Sequence, residues 1–335
     1  MGAMARHPEW ATLPIAKMLA EYGLNSHHQE EVSSCLKVET DQGIFRLKCF
    51  AYPALEFPFV FALAQYLVDR QFPYPEKIQP TTQGQPGIVE GGRFFYLATW
   101  QEGIVGFELD PKTLQEVGSL LGRLHYHSQG FVPTHPVHPA RSQWGAWPGK
   151  LTDRYHDLEK FASLAKVGTT TFDRLFADEA PSFLVTAKGA LQRLEGLLAS
   201  YAKIVNQDHK ANHVCHRDFI PHNLVKRPNG DLVLIDFDNA AYAERLDDLA
   251  KMLRYFSQWR LGKAKDLLAG YERWFPLSTE EIQLVQAFLR FPMEYWQLGR
   301  FAYERGYARH RALRRWIAAS RDKEAFLVYL ERVMS

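Results

Sequence analysis

Three side chains that carry oxygen surround a short apolar hairpin, and their types suit a magnesium site. They are Asp218, Asn223 and Asp236. Carboxylate and amide oxygens are ligands that Mg²⁺ accepts, and they leave coordination positions for water or phosphate. Zinc favours His and Cys, and because His216 and His222 stand nearby, a mixed site remains an alternative. Asp218 comes one short loop before Asn223, so the pattern indicates a hard-metal site with a spare carboxylate beside it.

The hairpin that must position these residues turns at Asn229-Gly230. This dipeptide is the strongest short-range signal of a tight turn between two strands, and apolar residues flank it on both sides. If the two residues form the centre of the turn, Asn223 faces Asp236 across the hairpin. Directly opposed residues of antiparallel strands have Cβ atoms roughly 5 Å apart, a span that one divalent cation bridges. The spacing therefore predicts that Asn223 and Asp236 are metal ligands.

Composition bounds the class of protein. The chain has 335 residues, of which 46% are hydrophobic and 23% charged, as in an ordinary globular protein. This length favours two lobes or domains, and a formal net charge of +2 is too small for a polycation. The three cysteines form no CxxC pair, which favours a reducing compartment. No apolar run is long enough to span a bilayer, so we expect a cytoplasmic protein without a membrane partner.

The order of elements predicts an α+β fold. Residues 31–50 read as two strands around a turn, 56–70 as an apolar helix, and the segment ending in GRFFYLATW as a further strand pair. After residue 103 the helical pattern dominates and only the hairpin interrupts it. We therefore expect a small antiparallel-sheet N-lobe over residues 1–100. A mainly helical C-lobe over 101–335 would carry the hairpin at 214–238.

The hairpin and its surroundings resemble a known catalytic segment. His216-Arg217-Asp218, with Asn223 five residues later and Ile235-Asp236-Phe237 after the hairpin, resembles the protein-kinase-like fold. The I-D-F-D ending and Leu246-Asp247-Asp248-Leu249-Ala250 resemble its aminoglycoside and choline phosphotransferase branch. Further segments are similar to the spore-coat (CotS-like) kinase family: FRLKCF at 45–50, LATWQEG at 97–103, LGRLHYHSQGF at 121–131 and FPMEYW at 291–296. The resemblance runs over most of the chain.

The resemblance implies a bilobal kinase with ATP and Mg²⁺ as cofactors. Asp218 would accept or orient the proton of an attacking hydroxyl, while Asn223 and Asp236 hold Mg²⁺ against the nucleotide phosphates. Lys48 would reach the α and β phosphates, although a solvated lysine on an edge strand is the alternative. The hinge residues expected beside the adenine are Trp100, Gln101, Glu102 and Gly103.

Some parts of the kinase pattern are less clear in this sequence. Glu56 is the first acid after Lys48 and comes early in its helix, so its assignment as the partner of Lys48 stays open. The expected phosphate-covering loop, 22–35, contains one glycine and no GxGxxG, so backbone N–H groups would substitute. Asp238 would be a second metal ligand, a general electrostatic helper or an acid that caps the following turn. His216 is expected to brace the loop by hydrogen bonding.

Two functions from different classes follow. The first is an ATP- and Mg²⁺-dependent phosphotransferase that acts on a hydroxyl of a small molecule, with spore formation as one setting. The second is a structural or interaction protein of the spore coat that keeps the kinase scaffold with little activity and has coat proteins as partners. Cations outnumber acids over 300–332, but amphipathic helices explain this better than nucleic-acid binding. The acceptor depends on the shape of the C-lobe pocket rather than on the catalytic motif.

Overall fold

The computed structural model describes residues 8–73 and 76–333, without the side chains of 329 and 331–333. The chain forms two compact units. The first, which we call the sheet unit, contains residues up to 109 together with 120–143 and 211–242. The second, the helical unit, contains 110–119, 144–210 and residues from 243 onwards. The lobe boundary near residue 100 stays a prediction.

Six strands of the sheet unit form one antiparallel sheet: β1 (Ser26–Val32), β2 (Cys35–Thr40), β3 (Gly43–Cys49), β4 (Ile78–Gln79), β5 (Ile88–Glu90) and β6 (Arg93–Thr99). Their order is β1-β2-β3-β6-β4, and β5 also pairs with β6. Strands β2 and β3 confirm the strand pair predicted within 31–50. The unit also contains helices α1 (Ile15–Ala20) and α2 (Phe57–Asp69), and α2 confirms the helix predicted over 56–70.

Strand β3 alternates apolar and basic residues, and the fold buries both sets. Phe45 and Leu47 belong to an apolar core shared with α1 and β2. Arg46 and Lys48 lie on the other face, where only 7% and 6% of their surfaces are exposed. Because a buried cation requires a charged partner, this burial argues against the alternative that Lys48 is merely solvated.

Four short strands complete the sheet unit: β7 (Val214–Cys215), β8 (Leu224–Lys226), β9 (Leu232–Leu234) and β10 (Ala241–Tyr242). Strands β8 and β9 confirm the predicted hairpin, but its register differs by one residue. Leu224 pairs with Leu234, and Lys226 with Leu232. Asn223 therefore faces Ile235, whose N–H donates to the Asn223 carbonyl oxygen at 2.9 Å. The prediction that Asn223 and Asp236 face each other is wrong.

Pro228 explains the difference in register. In a two-residue turn at Asn229-Gly230, the residue at position 228 would have to donate a backbone hydrogen bond, and proline has no N–H. Pro228 instead occupies the second position of a turn that the Gly230 N–H closes onto the Arg227 carbonyl oxygen at 2.9 Å. Gly230 follows with φ of 92°, in the left-handed region that glycine adopts easily.

Eight helices belong to the helical unit within the described residues: α4 (Trp147–Val167), α5 (Thr171–Gly196), α6 (Leu198–Lys210), α7 (Leu246–Phe256), α8 (Leu261–Tyr271), α9 (Thr279–Arg290), α10 (Met293–Arg305) and α11 (His310–Val333). Helix α3 (Pro111–Ser128) contributes residues to both units. The helical character predicted after residue 103 is thus confirmed. No helix in the described part of the chain is long and apolar enough to cross a membrane.

Two glycines allow α3 and α8 to approach closely. A Cβ atom at Gly118 would lie 1.9 Å from the Leu267 carbonyl oxygen, and one at Gly270 would lie 2.0 Å from the Gln115 carbonyl oxygen. We expect Gly118→Ala to lower the free energy of unfolding by about 3 kcal/mol, the upper part of the usual range for overpacking. Urea unfolding followed by circular dichroism measures this.

The matched control is Gly189→Ala, because a Cβ atom there meets nothing within 4 Å. That substitution should stabilise the protein by up to about 1 kcal/mol through helix propensity alone. Equal effects at the two positions would contradict the close-approach explanation.

A buried triad in the helical unit predicts a pH dependence of stability. The carboxylate of Glu294 binds Arg254 Nε at 2.6 Å and Lys323 Nζ at 3.3 Å. Burial disfavours its charge, but Arg254 and then Lys323 more than offset this and lower the pKa of Glu294 to about 2, from an ordinary value of 4.5. Because the folded-state pKa is the lower one, the triad stabilises the fold above pH 4.5 and loses this contribution as pH falls toward 2.

The expected loss between pH 7 and pH 3 is about 2 kcal/mol of the free energy of unfolding. Urea unfolding of the wild type and Glu294→Gln at both pH values isolates this contribution. The stability difference between the two proteins should shrink by that amount at pH 3. A difference that is the same at both pH values would contradict the assignment.

Candidate active site

Asp218 lies on a loop after β7 that His216 holds in place. The His216 ring is fully buried, with Nδ1 3.3 Å from the Asp218 amide nitrogen and Nε2 3.1 Å from the Ile235 carbonyl oxygen. The Asp218 N–H donates to Nδ1, so Nε2 carries the proton and donates to Ile235. This confirms the predicted bracing role of His216. Arg217 between them has φ of 63°, a left-handed conformation that the loop must hold against its intrinsic cost.

Asn223 contacts Asp218 directly. It ends the short 3-10 helix Pro221–Asn223, and its Nδ2 donates to the Asp218 backbone oxygen at 2.9 Å and to Asp218 Oδ2 at 3.0 Å. Because the amide nitrogen serves Asp218, the amide oxygen is the atom that Asn223 can offer to a metal ion. The Asp218 carboxylate is half-buried.

Lys48 contacts two carboxylates at the end of the hairpin. Its Nζ lies 2.5 Å from Asp236 Oδ1 and 2.9 Å from Asp238 Oδ2. Asp238 also accepts a hydrogen bond from the Tyr96 hydroxyl at 2.7 Å. Asp238 therefore binds Lys48 rather than acting only as a cap of the following turn. Asp236, in contrast, caps that turn, since its Oδ1 accepts the Asp238 N–H at 3.4 Å.

These contacts shift the pKa values in opposite senses. Burial disfavours the Asp236 carboxylate, but Lys48 and Arg46 more than offset this and hold the pKa of Asp236 below its ordinary value. Burial likewise disfavours the Lys48 ammonium, but Asp236 and Asp238 together raise the pKa of Lys48. Both groups are therefore charged at neutral pH. The cation and the carboxylates stabilise each other's charged forms.

A second ion pair, between Arg46 and Glu76, lies beside Lys48. The Glu76 carboxylate pairs with Arg46 through Oε1 and accepts the Asp236 N–H through Oε2 at 3.3 Å. Arg46 also donates to the Tyr96 hydroxyl at 3.3 Å. Sequence reasoning missed this pair. The alternation of Arg46 with Lys48 on β3 was a usable signal, whereas Glu76 lies in a turn with no periodic pattern.

Glu56 does not contact Lys48 in this structure. Its Oε2 lies 2.8 Å from Arg141 Nε, and both side chains are buried. The open assignment of Glu56 as the helix acid is resolved against that role, because Glu56 occupies the 3-10 turn Ala54–Glu56 before α2 and points to a different cation. Asp236 and Asp238 take the place of the expected partner of Lys48.

The predicted hinge is tied to the hairpin. The Ile104 N–H donates to the Lys226 carbonyl oxygen, and the Lys226 N–H returns a bond to Ile104, both at 2.9 Å. Gly103 has φ of 150°, and a Cβ atom there would lie 2.4 Å from the Lys226 carbonyl oxygen. Arg227 donates to Gln101 Oε1 at 2.7 Å. The segment thus runs with its backbone close to β8, and the adenine contacts of Trp100, Gln101, Glu102 and Gly103 stay a prediction.

The predicted phosphate-covering loop is a β-hairpin. Strands β1 and β2 meet at a tight turn, where Val32 pairs with Cys35 and Ser33 has φ of 55°. Its backbone N–H groups, rather than a glycine-rich sequence, are what this turn can offer to phosphate.

The donor set suits a hard divalent cation. Asp218, Asn223, Asp236 and Asp238 offer carboxylate and amide oxygens, and all belong to the sheet unit together with Lys48. These oxygen ligands are of the type that Mg²⁺ uses beside phosphate. Lys48 links Asp236 to Asp238 at this end of the hairpin.

The antiparallel sheet, the helical remainder and the hairpin of β8 and β9 define a protein-kinase-like fold, as predicted. The chain is similar to an aminoglycoside phosphotransferase from Alicyclobacillus acidocaldarius, with a TM-score of 0.81, 20% identity and coverage of 99% of this chain and 98% of that one. The model of the phosphotransferase enzyme family matches residues 33–279. The chain therefore belongs to that family, which confirms that it is of the predicted phosphotransferase class.

Two further similarities are informative. Amicoumacin kinase hAmiN, in complex with AMP-PNP, Ca²⁺ and Ami, has a TM-score of 0.61 at 13% identity, with coverage of 96% of this chain and 93% of that one. Spore coat protein S of Bacillus subtilis is 24% identical over 229 residues, which are 65% of this chain. The match spans 64% of the length of that curated relative.

Proposed function

We propose that the protein transfers the γ-phosphoryl group of ATP to a hydroxyl of a small molecule, with Mg²⁺ as the metal. The observation that carries the proposal is the cluster at the end of the hairpin, where Lys48 Nζ lies 2.5 Å from Asp236 Oδ1. In the same unit Asn223 Nδ2 lies 3.0 Å from Asp218 Oδ2. A phosphate-binding cation, a metal-binding carboxylate and a second carboxylate are the parts that phosphoryl transfer requires.

Each residue has a distinct role in this proposal. Asp218 accepts or orients the hydroxyl proton of the acceptor, since its carboxylate is half-exposed and Asn223 fixes its orientation. Asn223 and Asp236 hold Mg²⁺, which neutralises charge on the nucleotide phosphates when bound. Lys48 binds the α and β phosphates. Little covalent chemistry is needed, because positioning and charge neutralisation account for most of the catalysis of this reaction.

The comparisons support the cofactors. The structure of amicoumacin kinase contains AMP-PNP and Ca²⁺, and that of spectinomycin phosphotransferase APH(9)-Ia contains ADP and spectinomycin. This chain has the same fold and places its own oxygen ligands beside Lys48. We therefore propose ATP and Mg²⁺ as cofactors, with the hinge residues Trp100, Gln101, Glu102 and Gly103 beside the adenine. The cysteine pattern of the sequence supports the further proposal of a cytoplasmic location.

A second candidate function is a scaffold in the spore coat that binds coat proteins and has little activity. The observation that favours it is the similarity to Spore coat protein S, which is named for its assembly rather than for a reaction. The presence of Asp236 in contact with Lys48, and of Asn223 in contact with Asp218, argues for the enzyme, since a scaffold has no physical need for these side chains.

Thermal denaturation with ATP, with Mg²⁺ and with both tests the proposal. A ligand that binds only the folded state raises the midpoint, by an amount that corresponds to about 2.7 kcal/mol at a concentration 100 times its Kd. We expect the largest rise of the midpoint when ATP and Mg²⁺ are both present. In Asp236→Ala, adding Mg²⁺ should no longer increase the rise that ATP alone produces. No shift at millimolar ATP with Mg²⁺ would contradict the enzyme and favour the scaffold.

A further inference from the structure

We propose that Arg141 is a positioning residue for Asp236, a role that rests on the proposed function. Arg141 belongs to none of the motifs that define the catalytic hairpin, and it ends the short 3-10 helix Pro139–Arg141 in the connection after α3. The inference is that its guanidinium fixes the backbone that follows Asp236 and so maintains the affinity for the metal nucleotide.

The contacts of Arg141 are directed at the main chain of that segment. Arg141 is only 2% exposed, and its Nη1 donates to the carbonyl oxygen of Asp238 at 2.6 Å and to that of Ala240 at 2.9 Å. Its Nε lies 2.8 Å from Glu56 Oε2, so the buried charge is neutralised. One guanidinium therefore links the turn before α2 to the segment that begins at Asp236.

Two aromatic rings complete the environment of the guanidinium. Its central carbon lies 5.0 Å from the ring centre of Tyr52 and 5.5 Å from that of Phe50. The Tyr52 hydroxyl donates to Asn239 Oδ1, which belongs to the same segment. Arg141, Tyr52 and Glu56 thus hold the segment 236–240 by side chains that are distant in sequence.

The conformation of Asp236 gives these contacts their importance. Asp236 has φ of 69° and ψ of 68°, a left-handed conformation that costs a non-glycine residue free energy and persists only when its surroundings fix it. The Glu76 carboxylate accepts the N–H of Asp236, and Arg141 binds the carbonyl groups of Asp238 and Ala240 further along the same segment. Without Arg141, the chain after Asp236 can relax and turn the carboxylate away from the metal.

The test measures the affinity for AMP-PNP by calorimetry in EDTA and in Mn²⁺, for wild type, Arg141→Met and Arg141→Lys. Groups that orient metal ligands typically contribute about 10- to 100-fold to metal affinity. We therefore expect Arg141→Met to weaken the Mn²⁺-dependent affinity by at least about tenfold. The affinity in EDTA should stay within about twofold, because Arg141 contacts the segment after Asp236 and not Lys48. The Mn²⁺-dependent affinity of Arg141→Lys should lie between those of the wild type and Arg141→Met. The lysine ammonium keeps the positive charge opposite Glu56 but lacks the planar set of N–H donors of the guanidinium.

Controls separate this role from a general effect on folding. Arg174→Met removes an exposed arginine of the helical unit that donates to the Thr169 carbonyl oxygen, and this variant should bind AMP-PNP as the wild type does. If Arg141→Met fails to fold, Arg141→Lys provides the test. In that variant the ratio of the AMP-PNP affinity in Mn²⁺ to the affinity in EDTA should be lower than in the wild type. The role of Arg141 would be overturned if the AMP-PNP affinity fell equally with and without Mn²⁺, or if it fell in neither variant. A wild type that binds AMP-PNP with no dependence on Mn²⁺ would overturn the proposed function itself, and the role of Arg141 with it.

Discussion

Asp218→Asn is expected to lower the rate of phosphoryl transfer by roughly 10²- to 10⁴-fold, the range that a general base contributes. The substitution removes the group that accepts or orients the proton but keeps the volume of the side chain. The Oδ1 atom of the new asparagine can still accept the hydrogen bond from Asn223 Nδ2, which is 3.0 Å long in the wild type. The affinity for ATP with Mg²⁺ should therefore stay within about twofold.

The measurement is ADP formation from ATP and Mg²⁺, first with water as acceptor and then with a panel of aminoglycosides and amino alcohols. Asp231→Asn is a matched control, because Asp231 is an exposed carboxylate on the same hairpin and contacts the turn residue Asn229. Asp231→Asn should be fully active. Unchanged turnover in Asp218→Asn would remove Asp218 from the chemistry.

Asp236→Ala is expected to weaken the metal-dependent affinity for nucleotide by more than about 100-fold, since a lost ligand costs more than a lost neighbour of a ligand. The substitution removes the carboxylate that lies 2.5 Å from Lys48 Nζ. Calorimetric titration with AMP-PNP and Mn²⁺ measures the change, and circular dichroism checks that the variant folds. A metal dependence identical to that of the wild type would exclude Asp236 from the metal site.

Asp238→Asn is the informative companion of this variant. If Asp238 only binds Lys48 and Tyr96, the metal-dependent affinity should fall much less than in Asp236→Ala. If Asp238 is a second ligand, the two losses should be similar. The comparison decides between these two roles of Asp238.

The sequence predicted the elements of this site better than their contacts. Features that depend on local pattern were found: the hairpin around Asn229-Gly230 and the bracing His216. The register of the hairpin was wrong by one residue, because Pro228 removes the hydrogen bond on which the two-residue turn depends.

Contacts between distant segments could not be predicted. Glu76 and Arg141 each lie in an irregular connection, where no periodicity indicates which way a side chain points. Their ion pairs with Arg46 and Glu56 join residues far apart in the chain, and only the tertiary fold brings them together. Glu56 shows why a residue's role cannot be assigned from its position in the sequence alone. It stands where the partner of Lys48 was expected, but it pairs with Arg141.

The charges around Lys48 bear on which form of the nucleotide the proposed site would bind. Arg46 and Lys48 face three carboxylates, those of Glu76, Asp236 and Asp238, so the cluster carries one excess negative charge at a pH where all three are ionised. Burial raises the pKa of Glu76 and that of Asp238, and so raises the pH at which this excess is reached. A triphosphate without metal is repelled by this excess, whereas a divalent cation reverses its sign. In the proposed function, the cluster would therefore favour the nucleotide as its metal complex, and free ATP should act at most as a weak competitor.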